Sequence, residues 1–197
     1  MTLFRPDAVG SQISIVNVNG STNDENQPTL EARILLSMSV YVSKHVITQG
    51  NLDVQYAGSM SFPTPNIYYI TGGSPAFIPD YFTSTNTNEP YLDWLKFILH
   101  QPTIPQTIST SYGDDEQTVP RDYATTVCNM FAQLGAMGSS VLFASGDFGV
   151  GAGSCLSNDG TRKKHRRFIP MFPASCESFI SPFIQLVLWM LGFTRGL

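Results

Sequence analysis

At 197 residues the chain is long enough for one domain with a real core and too short for a second complete one. Charged residues are 13% of the chain, about half the usual share of ~25%, whereas 42% is hydrophobic, which excludes a disordered chain. The net charge of −4 leaves no footprint for nucleic acid as a partner, and 16 Gly with 13 Pro indicate a loop-rich fold of the kind common among secreted hydrolases.

Met1 to Pro6 shows no charged start followed by an apolar run, so no signal peptide is expected within these residues. Ile13 to Val18 reads as a short strand closed by the Asn19-Gly20 turn, and Asn19-Gly20-Ser21 is also a glycosylation sequon, meaningful in a secreted chain. Ser21 to Thr29 is a polar loop. Arg33 to Gly50 has neither a helical nor a strand period and stands out as an anomalous 18-residue insert. Ile67 to Ile70, between Pro65 and Gly72-Gly73, reads as a buried strand. Glu89-Pro90 opens a helix whose apolar face is Tyr91, Leu92, Leu95, Phe97, Ile98 and Leu99, and Pro102 stops it.

Gln106 to Tyr112 alternates as a strand should. Asp122 is the expected cap of a second helix, with Tyr123, Val127, Phe131 and Leu134 on one face and an end at Gly135 and Gly138. Ser140 to Ala144 is a strand running into Ser145-Gly146-Asp147. Strand, helix, strand, helix, strand at this spacing predicts an α/β protein with parallel βαβ units. In such sheets functional groups gather at the carboxyl ends of the strands, where Asp147 lies.

Three cysteines make no disulfide scaffold; Cys155 and Cys176, flanking a polar loop, are the expected pair, with Cys128 a buried thiol. The basic run Arg162, Lys163, Lys164, Arg166 and Arg167 holds five of the eleven basic residues, and a solvated loop is favoured over a polyanion patch. The apolar stretch Phe183 to Phe193 is 11 residues, short of the ~20 needed to span a bilayer, so no membrane partner is expected. No two histidines stand at metal-ligand spacing and the cysteines are scattered, so no metal site is expected here. His45, His100 and His165 sit in contexts that support no Ser-His-Asp triad.

Six segments together resemble the sedolisin family of serine-carboxyl peptidases. They are Asn51 to Tyr56 (Asn-Leu-Asp-Val-Gln-Tyr), Tyr69 to Pro75, Asn88 to Trp94 (Asn-Glu-Pro-Tyr-Leu-Asp-Trp), Ser109 to Gly113 (Ser-Thr-Ser-Tyr-Gly), Val141 to Asp147 and Phe172 to Cys176. Each is weak alone; in this order and spacing they cover residues 3–32 and 51–176. The resemblance implies a subtilisin-like parallel sheet flanked by helices, incomplete here. It makes 1–176 a partial peptidase domain, with 33–50 inserted and 177–197 an apolar tail foreign to the family.

The resemblance also implies the chemistry. The family carries Glu-x-x-x-Asp on one helix, where an i, i+4 spacing puts both carboxyls on one face and lets the Asp hold the Glu. A carboxylate paired with another has a raised pKa, which suits a base cycling in acid. Four residues before Asp53 stands Gln49, but deletion of residues 33–50 brings Glu31-Ala32 against Asn51-Leu52-Asp53 and restores the pattern. The expectation is therefore Glu31 as general base and Asp53 as its orienting partner, with 33–50 a translated intron or, alternatively, a loop that folds Glu31 back. Asp147 matches the family's oxyanion-hole Asp, which donates a hydrogen bond when protonated.

The family's nucleophile lies in a Gly-Thr-Ser motif, and no such triplet occurs in these residues, so this chain alone is expected not to cleave peptides. Peptide or protein substrates, a propeptide, calcium held by ligands outside this sequence and an extracellular location complete what the resemblance implies. The other readings are a non-catalytic α/β peptide-binding module and an unstable fragment.

Overall fold

A computed structural model describes residues 5–21, 46–146, 149, 151, 155–158 and 166–177, with only the backbone described for 46–53. Its described elements are mixed α/β. In chain order they are β1 (Ser14–Val18), α1 (Val46–Ser61), β2 (Ile67–Thr71), α2 (Tyr91–Ile98), β3 (Thr107–Thr110), β4 (Asp114–Asp115), α3 (Arg121–Ala136), β5 (Ser140–Phe143) and β6 (Met171–Phe172).

The parallel pairing expected from the sequence is present. β1 runs parallel to β2, with Ser14 opposite Ile67 and Val18 opposite Thr71. β3 runs parallel to β5, with Thr107 opposite Ser140 and Thr110 opposite Phe143. Among the described residues these form separate two-stranded sheets, and a third pair, β4 with β6, is antiparallel. That third pair is two residues long, too short to leave a period in the sequence.

Helical spacing explains the packing. Tyr91, Trp94, Leu95 and Ile98 fall at i, i+3, i+4 and i+7, and all four are buried. On α3, Val127, Phe131 and Leu134 do the same. Tyr91 meets Phe131, Phe143 and Phe172 edge-to-face at 6.0, 6.0 and 5.9 Å, and Phe131 meets Phe143 at 5.0 Å. One ring of α2 thereby ties α3, β5 and β6 together. Tyr69 on β2 reaches the same core through Trp94, at 6.0 Å.

Three sequence expectations are corrected. The disulfide joins Cys128 to Cys176, and Cys155 is free. Cys128 faces the segment after β6, a tertiary contact that the local sequence around each cysteine does not reveal, so it is not a buried thiol. Asp122 does not cap α3; Pro120 precedes the helix and Asp122 lies in its first turn, where a carboxylate favours the helix dipole. The 33–50 stretch is not wholly aperiodic in structure, since Val46 to Gly50 are helical and continue into 51–61 as α1. Among the described residues no helix is long and apolar enough to cross a membrane.

Candidate active site

The carboxyl ends of the parallel strands are built from tight turns. After β1, Asn19 and Gly20 take positive φ (52° and 73°), and the Asn19 side chain donates to the Gly72 carbonyl at 2.7 Å. A Cβ on Gly72 would lie 2.8 Å from the Asn19 carbonyl oxygen, so only glycine lets the β1 and β2 ends close on each other. The sequon asparagine is thus part of the turn that joins these strands. After β3 and β5, Gly113 and Gly146 both pack against Met171 of β6, and Ala144 N–H donates to Thr110 O at 3.0 Å.

Two buried carboxyls, those of Glu89 and Asp114, lie close together in the fold. Glu89, just before α2, and Asp114, on β4, are 1% and 4% exposed. Glu89 N–H donates to the Asp114 carboxylate at 3.4 Å. Tyr112 donates to Thr87 O at 2.9 Å, Tyr123 to Glu89 O at 3.1 Å, and Tyr91 to Tyr112 O at 3.3 Å. Among the described residues, Glu89 Oε2 and Asp114 Oδ1 meet no hydrogen-bond partner.

Burial pushes Asp114 up to about 8, and burial with the neighbouring Asp114 carries Glu89 well above the carboxylate range. Burial therefore favours the protonated form of both carboxyls in acid. Sequence reasoning missed both residues as functional candidates. The signal was present, because Glu89 lies inside one segment that carries the family resemblance and Asp114 follows another.

The three residues expected to carry the chemistry stand differently. Glu31 and Asp147 lie outside the described residues. Asp53 is on α1, where only the backbone is described, and Gln49 occupies the position one helical turn before it. The described structure accordingly does not bring the three side chains together, though it does place residues 144–146, which lead into Asp147, at the carboxyl end of β5.

His100 lies exposed at the end of α2 with Nδ1 2.6 Å from Lys96 O, a contact that occupies that nitrogen with a backbone carbonyl. Of the basic run, Arg166 and Arg167 are exposed, with Arg167 N–H donating to Cys155 O at 2.8 Å; residues 159–165 lie outside the described set. Among the described residues no group of three or more His, Cys, Asp or Glu could hold a metal ion.

The described elements define an α/β protein that buries the Glu89 and Asp114 carboxyls side by side. No family profile matches the chain, but curated relatives do. It is 41% identical over 179 residues to the tripeptidyl-peptidase sed4 of Aspergillus fumigatus, covering 88% of this chain and 26% of that protein. Against the probable tripeptidyl-peptidase SED3 of Arthroderma benhamiae it is 38% identical over 192 residues, covering 95% of this chain and 28% of the relative. The tripeptidyl-peptidase SED2 of Arthroderma otae is 39% identical over 181 residues. The chain belongs to the sedolisin family. It spans about a quarter of the length of the curated relatives it matches.

Proposed function

We propose that this chain is the part of a serine-carboxyl peptidase that supplies the general base and the oxyanion donor. The enzyme would release tripeptides from N-termini, or cut internally, at acid pH. The observation that carries this reading is the 38 to 41% identity to tripeptidyl-peptidases along most of the chain. In this reading Glu31 takes the proton of the attacking serine, Asp53 orients Glu31, and protonated Asp147 donates to the oxyanion as it forms.

The serine belongs to a Gly-Thr-Ser segment that these 197 residues do not contain, so this polypeptide alone is inactive. A subtilisin-like arrangement of the complete domain, removal of a propeptide, calcium bound by residues outside this sequence and secretion belong to the same proposal. The helical continuity from Val46 through Ser61 bears on the base, because Gln49 then occupies the turn before Asp53 and a carboxylate must come from elsewhere in the chain.

The test is an acid-pH assay on peptides with free N-termini. It compares this chain with a longer product of the same gene that includes a Gly-Thr-Ser segment. The longer product is expected to cleave and the 197-residue chain is not. In the longer product, Asp147→Ala, which removes the oxyanion donor, and Glu31→Gln should each lower kcat/KM by roughly 100-fold or more. Turnover by the short chain, or full activity in both variants, would contradict the reading. An inactive longer product that still binds peptide would favour a non-catalytic module.

A further inference from the structure

Among the described residues, the last backbone rung between β3 and β5 runs from Ala144 N–H to Thr110 O, and each strand then enters a glycine turn, at Gly113 and at Gly146. A glycine backbone constrains itself least, so the course of each turn depends on what lies against it. At Gly146 φ is +83°, and the place a Cβ would fill is taken by the Met171 side chain, whose Cγ, Cε and Sδ lie 3.1, 3.3 and 3.4 Å from it. At Gly113 the same place lies 3.2 Å from Met171 Cε and 3.2 Å from Phe172 O. One thioether methyl thus lies against both turns.

Met171 is itself held from several sides. In the pairing of β6 with β4 it stands opposite Asp115, and Glu116 N–H donates to Pro170 O at 2.9 Å. Ser175 N–H donates to Met171 O at 2.8 Å, and the Cys128–Cys176 disulfide ties the following segment to α3. Phe172, next along, is buried edge-to-face on Tyr91. A fixed backbone therefore carries a long, unbranched side chain, of the kind that fills irregular gaps, between two turns that have no side chain of their own.

We propose that Met171 is a positioning residue: its thioether is the spacer that sets the separation and course of the Gly113 and Gly146 turns, and through Gly146 the point where the chain enters Asp147. The second half rests on the reading of Asp147 as oxyanion donor; the first does not. Met171 acts through the backbone of Gly146 and not on the substrate. A donor that must meet charge as it forms tolerates little displacement, and a misplacement of ~1 Å can cost about 100-fold. The loss therefore falls on kcat and leaves KM alone.

Nitrogen-15 relaxation on the 197-residue chain tests the spacer, with α3 as the internal reference. In wild type the Gly113 and Gly146 amides should be as ordered as α3, with order parameters of about 0.85, and in Met171→Ala they should fall below about 0.6 while α3 keeps its value. Wild-type turns already that loose, or turns unmoved by Met171→Ala, would overturn the spacer. In the longer product that includes a Gly-Thr-Ser segment, Met171→Ala should lower kcat by roughly tenfold or more with KM almost unchanged. Met171→Leu, which keeps a carbon at the Cγ position against Gly146, should return kcat to within about threefold of wild type. Loosened turns with unchanged kcat would sink the step from Gly146 to Asp147. A wild-type longer product without activity would instead sink the peptidase reading, and the order parameters would still decide the spacer. If Met171→Ala does not fold, Met171→Val, which suits a strand and removes Sδ and Cε, takes its place with the same outcomes.

Discussion

Asp114 and Asp115 are neighbours on one two-residue strand, yet they meet different surroundings. Successive side chains of a strand point to opposite faces. Asp114 is buried against Glu89, Tyr112 and the aromatic core, whereas Asp115 is half-buried beside Asp80. The inner carboxyl is raised to about 8 and the outer one to about 6. Identical chemistry one residue apart thus gives a structural group that stays protonated well past acid pH and a group that titrates between acid and neutral. Depth of burial sets the difference, because desolvation is the leading cause at both sites.

Both pairs depend on the scaffold that positions β4, and the largest expected effect is there. Phe131 touches Tyr91, Trp94 and Phe143 and is 1% exposed. Phe131→Ala should destabilise the chain by about 3–5 kcal/mol, equally at pH 5 and pH 7.5, as measured by denaturant unfolding. A loss that varied with pH would mean that core and carboxyls are not separate contributions.

Next comes the disulfide, which joins α3 to the segment directly after β6, the partner of β4. Cys128→Ser or Cys176→Ser should remove roughly 2–4 kcal/mol, whereas Cys155→Ser should change little. A large loss in Cys155→Ser and Cys176→Ser, with little in Cys128→Ser, would restore the Cys155–Cys176 pairing expected from the sequence.

Asp114 gives the next effect, and its sign follows from linkage. A carboxyl raised from 3.8 to about 8 by folding binds its proton more tightly in the folded chain. Its contribution is full below 3.8 and is lost as pH rises toward 8. Asp114→Asn does not titrate, so it should be close to wild type at pH 4 and more stable than wild type by roughly 2 kcal/mol or more at pH 8. Asp115→Asn should show the same trend more weakly, over the narrower window from 3.8 to about 6. Equal pH dependence in the two variants would erase the distinction between inner and outer carboxyl.

The sequence showed the core well and the acidic sites poorly, for a physical reason. Apolar burial repeats with the period of the element, so Tyr91, Leu95 and Ile98 on α2, and Val127, Phe131 and Leu134 on α3, were visible as faces. The strands β1, β2, β3 and β5 were legible for the same reason, to within one or two residues. A carboxyl's state depends on which distant segment folds over it. Glu89 read only as a helix opener until Asp114, 25 residues on, was seen against it. Cys128 and Cys176, 48 residues apart, met through the same long-range packing. Of the residues assigned chemistry, Glu31 and Asp147 rest on motif resemblance, and Asp53 gains a place on α1.

The most direct test of the central claim, that buried carboxyls make this fold an acid-favoured one, is denaturant unfolding of the wild-type chain at pH 4.5 and 7.5. The account predicts a higher midpoint at pH 4.5, because the folded chain then keeps the protons of Glu89, Asp114 and Asp115. A midpoint that is unchanged, or higher at pH 7.5, would contradict it.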